Sequence, residues 1–241
     1  MTQRQDILNI IHEDNHIIVL IKPHNVLSQG DETGDENLVD MLKNYLKEKY
    51  NKPGNVFVGL VHRLDRPTGG LMVFAKTSKA AERLSKNIQD GEIEKYYLAA
   101  LSGVPKEKAA TLMNYLDKDE VSNTVKVLDF AKVGAKKAEL RYKLLESTED
   151  NKLSLVDVEL LTGRSHQIRV QMSHIGHPVV GDSKYGKKAG ASTHMALWAY
   201  RLRFVHPTTK QALVFVAYPD SETEPWKSFS GKSTWSRIAE F

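Results

Sequence analysis

The chain has 241 residues, 41% of them hydrophobic and 27% charged, a balance that supports a globular core without covalent staples. It contains no cysteine, which excludes disulfides, zinc–thiolate clusters and a cysteine nucleophile. A net charge of +4 and a pI near 9.0 permit an acidic partner such as RNA without demanding one, and no apolar run is long enough to span a membrane.

The start, Met1-Thr2-Gln3-Arg4-Gln5-Asp6, is polar and lacks the apolar core of a signal peptide. With the absence of cysteine, it predicts a reducing, cytoplasmic setting. His12-Glu13-Asp14-Asn15-His16 spells H-E-x-x-H, which binds zinc only where a helix puts both histidines on one face. Asp14-Asn15 is a turn pair, and His16 to Ile21 is a β-branched run ended by Lys22-Pro23. The segment therefore predicts a hairpin in preference to a zinc site.

Leu38, Met41, Leu42, Tyr45 and Leu46 recur at helical spacing and predict an amphipathic helix from Asn37 to Tyr50. Asn51 to Asn55 is a loop. It delivers an apolar run, Val56 to Val61, and then the cluster His62-Arg63-Leu64-Asp65-Arg66-Pro67-Thr68-Gly69-Gly70. A second apolar run, Leu71 to Ala75, leads away. Pro67, Gly69 and Gly70 place the charges in a turn between two strands. The local pattern fits a charged hairpin tip. It also fits a carboxylate, Asp65, held ionised by Arg63 and Arg66 beside a polyanion.

Thr77 or Ser78 can cap a helix carrying Ala81, Leu84 and Ile88 and ending at Gly91. Ile93 to Ser102 reads as a strand containing Lys95-Tyr96-Tyr97-Leu98-Ala99. The next forty or so residues alternate short strands with polar turns, Val121–Leu128 and Ala138–Leu145 being the clearest. Lys126, Lys132, Lys136, Lys137, Arg141 and Lys143 make this the most basic stretch. It predicts a solvated sheet face, with RNA contact as the second reading. Leu153–Leu161 is a further strand. Arg164–Ile175 is a helix candidate with Ile168, Met172 and Ile175 inward and Gly176 closing it. His174 and His177 fit a helix end and turn better than a metal pair. Met195–Val205 and Ala212–Tyr218 are the last strands. No Gly-rich phosphate loop, dinucleotide fingerprint or serine-hydrolase elbow is present. The whole predicts one domain, residues 1–241, of α+β class: a mixed, largely antiparallel sheet flanked by helices.

Two segments carry a resemblance. His62-Arg63-Leu64-Asp65 with Thr68-Gly69-Gly70-Leu71 and Ala75-Lys76 resembles the catalytic motif of the RluA-type pseudouridine synthases. Leu161-Thr162-Gly163-Arg164-Ser165-His166-Gln167-Ile168-Arg169-Val170 resembles that family's other signature. It continues through Gly176-His177-Pro178 and Gly181-Asp182 to Tyr185-Gly186. The resemblance runs from about Ile10 to about Tyr218 and implies a pseudouridine synthase fold.

It also implies the activity: isomerisation of uridine to pseudouridine in rRNA or tRNA, by a cytoplasmic monomer that needs no cofactor and no metal. Asp65 matches the catalytic aspartate. Arg164 matches the arginine that pairs with it, which would orient the carboxylate and lower its pKa. Tyr97, in the pattern Lys95-x-Tyr97-x-Ala99, matches the ring that stacks on the flipped uracil. Arg63 matches the arginine that holds open the nucleotide's place. His62, His166 and Gln167 are expected to position the motifs, and Tyr96 to pack.

His24-Asn25 follows Lys22-Pro23 where a small residue and glycine are usual; Asn25 tolerates a left-handed turn. Gly69 stands for a frequent serine and Gln171 for a frequent histidine. The RNA-binding module that many relatives carry ahead of this domain is expected to be missing. Two other readings compete: a catalytically silent RNA-binding protein on the same fold, and a metal-dependent hydrolase built on His12, Glu13 and His16.

Overall fold

The computed structural model describes residues 8–186 and 194–229; the polar start, residues 1–7, lies outside them. The chain packs as two compact units, Met1–Glu94 with Ala199–Ala217, and Lys95–Trp198 with Tyr218–Phe241. Both units are sheets with few helices, an α+β architecture.

In the first unit, β1 (Asn9–Glu13) and β2 (Ile17–Lys22) form the expected hairpin. β2 pairs antiparallel with β4 (Gly69–Ala75), and β3 (Gly59–Leu60) also pairs with β4. β10 (Leu197–Val205) lies beside β4, and β11 (Ala212–Val216) pairs with β10. β2 and β4 are buried on both faces, which is why they read as continuous apolar runs and not as alternation. Ile17, Val19, Leu71 and Val73 meet Ala80 and Leu84 of α2 (Ser78–Gln89) and Leu202 and Phe204 of β10. Burial of each large aliphatic or aromatic side chain there contributes about 1.5–3 kcal/mol.

α1 (Leu38–Lys49) has Asn37 as its N-cap, whose side chain accepts the Asp40 N–H, and it buries Leu38, Leu42 and Leu46. Thr77 caps α2 by accepting the Ala80 N–H. These two helices follow their predicted bounds to within two residues. The run Val56 to Val61 does not: only Gly59–Leu60 pairs, and Phe57 stands exposed.

The second unit is an antiparallel sheet in the order β5-β9-β8-β6-β7. Its strands are β5 (Glu94–Ser102), β6 (Ala109–Asp119), β7 (Thr124–Leu128), β8 (Lys136–Ser147) and β9 (Leu153–Leu160). β6 and β8 are long, 11 and 12 residues, where the sequence suggested short strands. β7 starts at Thr124 and not at Val121, because the Asp119 carboxylate takes the Val121 and Ser122 N–H groups into a turn.

α3 (Gln167–His174) lies against β6 and β7; its Val170 packs with Leu116, Val125 and Ala138. It begins three residues later than the predicted Arg164, because His166 takes a left-handed conformation (φ 52°) and the chain before it is bonded to β8. Gly176 closes the helix at φ 89°. The helix is buried nearly all round, Gln167, Arg169 and Gln171 included, so its apolar stripe understated its burial.

Candidate active site

Asp65 lies on the loop between β3 and β4, where the turn closes through the Thr68 N–H donating to the Asp65 carbonyl at 2.9 Å. The carboxylate residue is half-buried and Arg63 is exposed. Leu64 is buried, with its N–H donating to Ser28 Oγ (3.2 Å) and its carbonyl accepting from the same hydroxyl (2.9 Å). His62 Nε2 accepts the Val73 N–H at 3.1 Å, fixing that ring to β4. Gly70, at φ 117°, passes the Ala199 backbone so closely that a Cβ would stand 2.3 Å from its carbonyl oxygen.

The far side of the loop is held by the segment after β2. Lys22 is completely buried, and its Nζ donates to the carbonyls of Pro23 (3.0 Å), Val26 (2.6 Å) and Arg66 (2.9 Å). His24 Nδ1 donates to the Pro67 carbonyl at 2.8 Å, and Arg66 Nε to the Asn25 carbonyl at 3.2 Å. Asn25 adopts the left-handed turn expected of it, at φ 63°. Burial pushes the Lys22 ammonium down to about 7; Asp65 pulls it back up and Arg66 lowers it again. Lys22, His24 and Ser28 were not singled out by the sequence for this work. Their only signal was position: a lysine at a strand end, just before proline.

In the second unit Tyr97 is buried in β5 opposite Val158, while Tyr96, on the other face opposite Glu159, is the more exposed ring. Tyr96, expected to pack, is half-buried on that other face. The Thr162-Gly163-Arg164 loop leaves β9 and is stitched to β8. Thr162 N–H donates to the Glu139 carbonyl at 3.1 Å, and Gln167 Nε2 donates to it at 3.0 Å. Gln167 Oε1 accepts from Thr162 Oγ1 and from Arg164 N–H. Arg164 is exposed, and its Nε donates to the Lys137 carbonyl at 2.9 Å, using one of five guanidinium donors.

His166 Nδ1 and Tyr185 Oη share a hydrogen bond of 2.7 Å, and that hydroxyl also accepts the Val125 N–H. His166 and Gln167 thus fasten the loop. Gln171 is buried too, its Nε2 donating to Asn114 Oδ1 at 2.7 Å. The six basic residues Lys126 to Lys143 are all exposed, and Lys132 pairs with Asp117, Lys137 with Glu139 and Arg141 with Glu159. That is a solvated face.

The H-E-x-x-H residues lie on the β1–β2 hairpin and not on a helix. Glu13 accepts from Lys49, Lys76, Tyr45 and Tyr50, and Asp14 takes His12 and His206. Among the described residues no three histidine, aspartate or glutamate side chains gather as a metal site.

Residues 16–174 match the family model described as RNA pseudouridylate synthase. An uncharacterised RNA pseudouridine synthase of Bacillus subtilis is 33% identical over 86% of this chain and 67% of its own length. The ribosomal large subunit pseudouridine synthase C of Vibrio vulnificus is 32% identical over 85% of this chain and 63% of its own length. This chain therefore spans about two thirds of the length of these relatives. Among solved structures, human RNA pseudouridylate synthase domain containing 1 is 27% identical with a TM-score of 0.69, covering 91% of this chain and 86% of that one. Human RNA pseudouridylate synthase domain containing 4 has a TM-score of 0.73 at 22% identity over 91% of this chain and 90% of that one, a likeness of fold. This chain belongs to the RluA-type RNA pseudouridine synthase family of uridine isomerases.

Proposed function

We propose that this protein isomerises uridine to pseudouridine in rRNA or tRNA, in the cytoplasm, with Asp65 as its catalytic carboxylate. The observation that carries the reading is the mounting of Asp65: a half-buried acid on a turn held at Leu64, Arg66 and Pro67 by Ser28, Lys22 and His24. A hairpin tip with only a solvated role would not need a buried lysine beneath it. The Vibrio vulnificus relative is a ribosomal large subunit pseudouridine synthase, which favours large-subunit rRNA as the substrate.

The target base leaves its stack, at a cost of a few kcal/mol. Breaking the bond between uracil N1 and the sugar builds positive character at the anomeric carbon, which a carboxylate stabilises or traps. The freed uracil turns and rejoins the sugar through C5; the C5 proton departs and N1, released from the sugar, takes up a proton, so the product is an isomer of the substrate. Tyr97 stacks on the base, Arg63 holds open the target nucleotide's place, and Arg164 is the arginine that the resemblance pairs with the catalytic carboxylate. No redox step or energy source enters this balance.

Tritium release from RNA labelled at uridine C5 tests the reading. Wild-type protein is expected to release tritium and Asp65→Ala to release none. Protein that binds RNA but releases no tritium would instead be a silent RNA-binding protein.

A further inference from the structure

Lys95 stands two residues before Tyr97 on β5, so strand alternation puts both side chains on one face of the sheet, about 7 Å apart along the strand. The Gly163 backbone lies directly against its end: a Cβ built at Gly163 would sit 3.5 Å from Lys95 Nζ. The side chain is half-buried, and among the described residues its ammonium makes no ion pair and no hydrogen bond. Burial lowers its pKa, with no charged neighbour opposing the shift. Compare Lys22, whose three protons each find a carbonyl.

A desolvated cation without a counter-charge costs stability. Three donors are gathered there beside a loop whose glycine leaves room for close approach. An ammonium so placed suits an acceptor of opposite charge. The stacking face and the Gly163-Arg164 loop both belong to the site proposed above, so this inference takes its ligand, RNA, from that reading.

We propose that Lys95 is a phosphate-binding residue: its ammonium receives a backbone phosphodiester of the RNA strand beside the nucleotide that stacks on Tyr97. The contact is independent of base identity and charge-assisted. It locates the strand along β5 so that one base reaches Tyr97.

The test measures binding of the full-length protein to a fluorescent, unmodified large-subunit rRNA transcript across a potassium chloride series, alongside thermal melting. Lys95→Met keeps the aliphatic stem and removes the charge. It is expected to weaken binding roughly tenfold at low salt. The slope of log affinity against log salt should fall by about 0.7–1, one phosphate's worth. Its melting temperature should be unchanged or higher. Lys95→Arg should restore the slope.

A Lys95→Met slope equal to that of the wild type overturns the phosphate site, as does a variant that melts lower with RNA binding intact. Tritium release by the wild type reads the parent proposal separately. Its absence, with the slope still lowered in Lys95→Met, would sink the isomerase reading and leave the phosphate site standing. Normal release with an unchanged slope would sink the phosphate site alone.

Discussion

Arg169 and Asp182 form a buried two-point ion pair, Nε to Oδ2 at 2.7 Å and Nη2 to Oδ1 at 2.9 Å. Both side chains are almost completely enclosed. The same carboxylate accepts the N–H groups of Lys184 and Tyr185, and the guanidinium lies over the Tyr185 ring. Tyr185 in turn holds His166 at the start of α3. Burial alone would raise the Asp182 carboxyl; Arg169 and the two amides outweigh it and keep it below the ordinary range. The pair thus ties the helix behind Arg164 to the Gly181-Asp182 segment.

Removing one partner leaves the other charged, buried and unpaired. Arg169→Met or Asp182→Asn alone is expected to cost about 3–5 kcal/mol in urea unfolding. The double variant Arg169→Met with Asp182→Leu should recover much of that loss. Single variants within about 1 kcal/mol of the wild type would show that the pair holds nothing in place.

Lys22 supplies the protons for three carbonyls, including that of Arg66 beside Asp65. Lys22→Met strands those acceptors, each at a cost of about 1–3 kcal/mol when buried. The expected outcome is a chain that still unfolds cooperatively but whose Leu64 and Thr68 amides exchange hydrogen faster, with turnover lost. Unchanged exchange at both amides would contradict the mounting described here.

Glu13 gives a pH dependence with a definite sign. Burial would raise its carboxyl, but Lys49, Lys76, Tyr50 and Tyr45 together hold it down at about 2. A carboxylate with a depressed folded pKa stabilises the fold above its ordinary value, near 4.5. That contribution is lost as pH falls from there through about 2. Acid titration of thermal stability should therefore show a steeper fall in wild type than in Glu13→Gln over that window. Parallel curves would contradict it.

Thr68 Oγ1 is buried in the Asp65 turn and meets no hydrogen-bond partner among the described residues. Thr68→Val replaces an unpaired hydroxyl with a methyl of like size. Stability should be unchanged or rise by up to about 2 kcal/mol. A loss of more than about 1 kcal/mol in chemical denaturation would show that the hydroxyl is bonded in the folded state.

The sequence was most legible where local rules suffice. Asn37 and Thr77 cap the helices they were expected to cap, and the Asp14-Asn15 turn made H-E-x-x-H a hairpin. It was less legible where a distant backbone sets the outcome. Nothing near Arg164 announces that Thr162 and Gln167 are bonded to Glu139, which is what delays α3 to Gln167. β6 hid because its inward residues include Asn114, which faces Gln171, where an apolar residue would have completed the alternation. Of the candidate site, the motif residues could be named, but not the contacts that mount them. Lys22 and Lys95 are both lysines near strand ends, and only the fold shows that one is saturated with carbonyls and the other stands by Gly163 with no carboxylate paired to it among the described residues.

The central claim is that the Asp65 carboxylate performs the chemistry. Asp65→Asn preserves size and changes only its ability to act as an anion. Measured on unmodified RNA, with binding and pseudouridine formation followed in parallel, the variant should bind within about threefold of wild type, well below the cost of one lost charge-assisted contact, and form no pseudouridine. Product at the wild-type rate would contradict the account.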